Sequence, residues 1–214
     1  AGNGKSNFYK IEDKSYTPIP GTDDFIKLDN YRADKVVWKN SGATLFDIGD
    51  DVLCLEFNSK MNTLGGEVLE GINTAIDKAE KEQWRGLVIG NDGENFSVGA
   101  NLGMVFMMVA EEEWDEVNFA ISYFQNTMMR VRYSSIPVVV APHGMALGGG
   151  CEISLHADKV VAAAETYMGL VEFGVGVIPG GGGSKEMALR ASDSFRKGDV
   201  ELNILQENFL TIGM

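Results

Sequence analysis

Positive charge is what this 214-residue chain has least of: 18 lysines and arginines stand against 31 aspartates and glutamates, a formal net charge of −13. Nucleic acid is therefore excluded as an expected partner, because phosphate backbones are bound through clustered basic groups. A phosphorylated ligand would need a local basic patch or backbone donors. Histidine and cysteine are nearly absent too, with two of each. They fall at no metal-ligand spacing, so no metal is expected. Cys54 and Cys151 sit inside apolar segments and read as reduced core thiols of a cytoplasmic protein. No apolar run approaches the roughly 20 residues that span a bilayer, which argues against a membrane span. The first residues also lack the basic and apolar segments of a signal peptide.

What is present is core material: 44% of the residues are hydrophobic, enough for one sizeable domain with appendages. Residues 1–33, with "YTPIPGTDDF", are polar and turn-rich and read as a tail or linker. "KVVWK", "ATLFDI" and "DVLCLEF" follow as three β-like runs parted by the turn signals "NSG" and "GDD", a meander. Val68, Leu69, Ile72, Ala75, Ile76 and Ala79 recur at helical spacing, which predicts a helix over about 65–83. "GLVIG" (86–90) and "PVVVA" (137–141) read as buried strands, with a loop at 91–101 and a helix over roughly 113–132 between them. "KVVAAA" (159–164) reads as a strand, 167–184 as an irregular glycine-rich path, and about 183–191 as a helix. Strands alternating with helices imply parallel strands and an α/β fold. The acidic run "EEEWDE" (111–116) suits the start of a solvated helix.

The stretch "HGMALGGGCEIS" (143–154) carries three consecutive glycines between a strand and a helix. It does not fit G-x-G-x-x-G, because Ile153 stands where the last glycine belongs, and "PGGGGSKE" fails as a P-loop because Ser184 precedes Lys185. An oxyanion hole is the other chemistry that free amides at a helix start can supply. A purely structural use is equally open at this point: close strand–helix packing, with Glu152 as an ordinary cap.

Three collinear stretches carry a resemblance. "NFSVGANL" (95–102) resembles the F-x-x-G-A-D-[IL] loop of the crotonase, or enoyl-CoA hydratase/isomerase, superfamily. "IPVVVAPHGMALGGGCEISLHAD" (136–158) resembles its central signature, and "MGLVEFGVGVIPGGGGS" (168–184) its F-G-x-P-E-x-x-L-G-x-x-P-G-x-G-G segment. The likeness covers about 34–195. It implies a ββα spiral of two stacked sheets flanked by helices. It implies an acyl-CoA thioester substrate, no cofactor beyond the CoA moiety of that substrate, and a homo-oligomer.

Carried over residue by residue, the oxyanion amides fall on Ala100 and Gly149, and the hydratase carboxylates on Glu152 and Glu172. Val98, Asn101 and Gly148 fall beside them in the substrate site. Met104, with Met107 and Met108, falls on the helix expected beside the acyl chain, as an adaptable lining or as plain core. Lys60 is a candidate for a CoA phosphate. His143 and His156 match no catalytic position and are read as structural. Asn101 replaces the usual aspartate, and Val171 replaces the proline of F-G-x-P-E; neither change removes a catalytic atom. Both carboxylates together favour a hydratase, adding water across a 2-enoyl-CoA to give the 3-hydroxyacyl-CoA. A Δ3-Δ2 enoyl-CoA isomerase and a non-catalytic CoA-binding or assembly module are the alternatives.

The ends add an expectation about context. "GNGKSNFYKIE" resembles the closing segment of 3-hydroxyacyl-CoA dehydrogenases. The resemblance implies a preceding dehydrogenase, with NAD as that domain's cofactor, in a fatty-acid β-oxidation parent. Residues 196–214 read as the start of a C-terminal helical segment whose remaining helices are missing, so the fragment is expected to fold yet turn over slowly.

Overall fold

The computed structural model describes residues 7–20 and 25–213. The first described element is a hairpin, β1 (Asn7–Lys10) and β2 (Ser15–Pro18), paired antiparallel. The meander follows as β3 (Val36–Lys39), β4 (Ala43–Asp47) and β5 (Val52–Phe57), also antiparallel, with Leu45 opposite Leu55 and Phe46 opposite Cys54. Helix α1 (Gly66–Lys81) then crosses to β6 (Gly86–Ile89), which lies parallel to β5. Its buried residues are Val68, Leu69, Gly71, Ile72, Ala75, Ile76 and Ala79, one continuous stripe at the spacing of three and four that a core-facing helix needs.

Two helices, α2 (Leu102–Ala110) and α3 (Trp114–Arg132), lead to β7 (Val138–Val140), parallel to β6. A short β8 (Met145–Leu147) enters helix α4 (Gly149–His156), and β9 (Lys159–Val160) closes the main sheet beside β7. The six strands thus run β3-β4-β5-β6-β7-β9, while β8 pairs in parallel with β10 (Tyr167–Gly169) as a second sheet. Helices α5 (Gly183–Asp193) and α6 (Glu201–Gly213) follow. This is the α/β arrangement of sheets flanked by helices that the motifs implied.

The core lies between the main sheet and α1, α3 and α4. Leu45, Leu53, Leu55, Ile72, Ile76, Ile89 and Phe96 are fully buried, each contributing about 1.5–3 kcal/mol relative to exposure. Helix α3 is clamped to α1 by Arg130, which pairs with Asp77 and Glu80, and by Asn73 Nδ2 donating to Thr127 Oγ1 at 2.8 Å.

Three expectations need correction. The strand expected over 159–164 stops at Val160, because its partner β7 gives way to Pro142, which has no N–H to continue a ladder. The path over 167–184 contains β10, and the loop at 91–101 runs beside β8: Ser97 N donates to Met145 O at 3.1 Å and Leu147 N to Ser97 O at 2.9 Å. Three-residue segments set among glycines, without a run of β-branched residues, carry too little signal to be recognised in sequence. Finally, the described part of 1–33 is not all tail. Leu28 is buried against Phe46 and Cys54, and Arg32 clasps Glu56 through two hydrogen bonds of 2.7 and 2.8 Å. Residues 1–6, which carry the front of the dehydrogenase-like stretch, lie outside the described residues.

Candidate active site

The glycine run turns the chain from β8 into α4. Gly148 takes φ +52°, ψ −119°, a backbone that L side chains disfavour, and its N–H donates to Gly169 O of β10 at 2.9 Å. A Cβ on Gly150 would stand 2.7 Å from Ser97 O, so α4 abuts the 95–99 loop with no room for a side chain. A Cβ on Gly99 would stand 2.9 Å from Gly149 N, and one on Gly149 3.5 Å from Ala100 N. The amides of Ala100 and Gly149 are therefore neighbours across a narrow gap. Among the described residues neither donates to a backbone carbonyl, as befits a helix start and a loop residue. Buried Ser97 holds the loop in place: its Oγ donates to Asn62 O at 2.6 Å and accepts from Gly99 N at 3.1 Å.

Glu152, in the first turn of α4, is 2% exposed. It does not cap its own helix, contrary to the structural alternative above. Its Oε1 accepts from Gly183 N at 2.8 Å, and Gly181 presses on Oε2. Burial pushes this carboxyl up to about 7, against the pull of the Gly183 and Gly181 amides, and nearby Glu172 adds to the rise. Glu172 opens a 3₁₀ turn, Glu172–Val175, after β10. Its Oε1 lies 3.2 Å from where a Gly148 Cβ would stand. Burial raises its pKa as well, and its buried Oε2 has no hydrogen-bonding partner among the described residues. A buried carboxylate oxygen left open costs free energy unless something occupies it.

The other expected residues divide. Val98 is half-buried, and its N–H donates at 3.4 Å to O of Met61, the residue after Lys60, so the lysine's turn does reach the site loop. Lys60 itself is exposed. Asn101 caps α2 by accepting from Met104 N at 3.4 Å. Met104 and Met107 are not core residues: they are 45% and 64% exposed, and α2 buries none of its residues. His143 lies outside the site with Nε2 2.6 Å from Gly93 O. Cys54 and Cys151 are buried free thiols, each pushed up to about 12 by burial.

Sequence reasoning missed the groups behind α4. His156 and Glu186 are each 1% exposed and lie together with Lys185 and Arg132. One signal was available: His156 follows Glu152 by four residues, one turn along the same helix.

Two free amides beside two partly desolvated carboxylates form a site that can hold an oxygen while negative charge grows on it and move a proton close by. The comparisons agree with that class of chemistry. The enoyl-CoA hydratase/isomerase family profile matches residues 47–195, and the chain belongs to that family. It is 50% identical over 179 residues to a probable 3-hydroxyacyl-CoA dehydrogenase of Bacillus subtilis, covering 84% of this chain and 22% of the relative. It is 32% identical over 221 residues to a putative fatty acid oxidation complex trifunctional enzyme of Rickettsia felis, covering 97% and 30%. The chain thus spans less than a third of each of these relatives. Among solved structures, an enoyl-CoA hydratase from Bacillus anthracis superposes with a TM-score of 0.63 at 30% identity, covering 69% of this chain and 57% of that one. Members of the family act on acyl-CoA thioesters. Among the described residues no helix is long and apolar enough to cross a membrane.

Proposed function

We propose that this chain is the 2-enoyl-CoA hydratase domain of a longer fatty-acid β-oxidation protein that also carries an NAD-dependent 3-hydroxyacyl-CoA dehydrogenase and resides in the cytoplasm. The observation that carries the reading is the pair Glu152 and Glu172, both partly desolvated, beside the unengaged amides of Ala100 and Gly149. The thioester carbonyl docks on the two amides. As water adds at C3, negative charge grows on that oxygen, and donors already in place stabilise it without reorganising. The helix dipole behind Gly149 acts in the same sense. Glu152 and Glu172 share the remaining work as a coupled pair: one takes a proton from the water while the other gives one to C2. A pKa near 7 suits Glu152 to either role at neutral pH. The open Glu172 Oε2 is a place for the water.

The names of the Bacillus subtilis and Rickettsia felis relatives, and the small share of each that the chain spans, support the longer parent. The exposed methionines of α2 support an acyl site that is wet in this chain alone, with slower turnover than in the parent and with oligomer contacts as the natural cover. Asn101 and Met104 flank the acyl chain at the start of α2, Gly148 and Val98 flank the thioester, and Lys60 meets a CoA phosphate. The test is product analysis with 2-enoyl-CoA and 3-enoyl-CoA. Hydration of the 2-enoyl thioester to 3-hydroxyacyl-CoA is the expected outcome. Conversion of the 3-enoyl to the 2-enoyl thioester without hydration would replace this reading with an isomerase.

A further inference from the structure

Behind Glu152 lies a closed ring of contacts. His156 Nδ1 is 2.7 Å from the backbone carbonyl of Glu152. A carbonyl only accepts, so Nδ1 carries the proton and Nε2 carries the lone pair. Lys185 Nζ donates to that Nε2 at 3.0 Å, and also to Glu186 Oε1 at 2.6 Å and Met129 Sδ at 3.2 Å. Lys185 belongs to the first turn of α5, whose opening residue, Gly183, donates its N–H to the Glu152 carboxylate. The path therefore leaves Glu152 by its carbonyl and returns to it at its carboxylate.

The glycine loop before α5 fits the same ring. Gly181 and Gly183 press on the Glu152 carboxylate, and a Cβ on Gly182, between them, would stand 2.9 Å from both Cε1 and Nε2 of His156. The imidazole is thus the floor on which the loop rests. A second proton on the ring would set a cationic N–H against the Lys185 ammonium. Burial, with that ammonium, holds the imidazole below its usual pKa, against the pull of the Glu152 carbonyl and of Glu186, whose Oε1 lies 3.4 Å from Nε2.

The geometry points to His156 as a positioning residue for Glu152: a neutral bridge that, with Lys185, holds the Gly181–Gly183 amides against the carboxylate. This rests on the hydratase reading for its effect on turnover, but the linkage itself is a property of the folded chain. The charged groups around the bridge are Lys185 and Glu186 from α5 and Arg132 from α3. Arg132 Nη1 donates to Glu186 Oε2 at 2.6 Å, and Arg190 of α5 reaches Leu155 O at 3.1 Å. The titratable groups facing the Glu152 carboxylate are Glu172, from the turn after β10, and Cys151 on its own helix; α3 presents the Phe124 ring and α5 backbone amides.

The experiment uses the whole chain with ¹³C-labelled glutamate, the Glu152 resonance being assigned by its loss in Glu152→Gln. Lys185→Met keeps an unbranched apolar stem of similar length and removes the ammonium. His156→Leu removes both hydrogen bonds, and His156→Asn keeps a donor near the place of Nδ1. In Lys185→Met the titration of Glu152 should move to higher pH, because the Gly183 amide is no longer held on the carboxylate. The acid limb of hydration should move with it, with kcat down about 10-fold and KM within about twofold. His156→Leu should do the same and His156→Asn should recover most of the loss. A Glu152 titration unmoved in Lys185→Met overturns the proposal, even if thermal stability falls, since that would be a merely structural role. If His156→Leu does not fold, Lys185→Met decides, its side chain being 38% exposed. Absence of hydration in the wild-type chain would sink the hydratase reading instead, and the carboxyl titration would still judge the linkage.

Discussion

The floor of the site and its apolar rim are built on opposite terms. On the floor, α4 buries seven of its eight residues, including Glu152. Its neighbours approach so closely that glycine is the residue that fits at Gly150. On the rim, α2 buries none of its residues. Phe173, Val175 and Ile178, in the chain segment that carries Glu172, are exposed too, as are Leu202, Phe209 and Leu210 of α6. The candidate carboxylate Glu152 is therefore held by packing internal to this chain, while the apolar surface of α2 is left exposed. Precision of a few tenths of an ångström comes from backbone against backbone. An adaptable apolar wall needs only flexible side chains.

The sharpest test of that difference is functional. Glu152→Gln and Glu172→Gln should each lower hydration of 2-enoyl-CoA by at least about 100-fold, the low end for a lost general acid or base, with folding retained because the replacement is nearly isosteric. Steady-state assay with circular dichroism as the folding control checks it. Unchanged turnover in both would place the chemistry elsewhere on the molecule.

The next effect is on stability, and its sign is unusual for a carboxylate. The Glu152 carboxyl rises on folding from 4.5 to about 7. Between those values the folded state keeps a proton that the unfolded state has released, so the contribution of Glu152 to stability falls as pH rises through that window, by about 2–3 kcal/mol. Glu172 is shifted in the same direction. Glu80, held down to about 2 by Arg130, acts with the opposite sign, contributing stability that is lost as pH falls through the acid range. Urea midpoints for the wild type and Glu152→Gln across pH 4 to 8 isolate the buried carboxyl. The variant should gain on the wild type as pH rises and be the more stable at pH 8. Parallel curves would mean that the Glu152 carboxylate is solvated.

The smallest effects come from paired substitutions, one in each region. Gly150→Ala should cost about 1–3 kcal/mol, because its methyl meets Ser97 O and the loop must move, and it should disturb Ala100 with it. Met107→Ser on α2 should change stability by less than about 0.5 kcal/mol. Thermal unfolding of both variants is the measurement; equal losses would erase the distinction between floor and rim.

Alternation and helical spacing in the sequence were enough for the meander and for α1 and α3, and the unbroken β-branched and aliphatic runs were enough for β6 and β7. Such signals failed for β8 and β10, whose three-residue pairing is imposed by neighbours. The collinear motifs likewise pointed to Ala100, Gly149, Glu152 and Glu172 while they were still scattered over 73 positions of chain. Nothing in that spacing tells that Glu152 accepts from Gly183 instead of capping α4, or that Met104 and Met107 stand outside the core. The motifs thus determined which residues were candidates through their likeness to the family, while the residues by themselves left a structural use open. Only the tertiary structure decided their states. Burial is a property of what surrounds a residue, and so the raised pKa of Glu152, the open oxygen of Glu172 and the neutral bridge at His156 exist only once α4, α5 and the 95–101 loop have closed on one another.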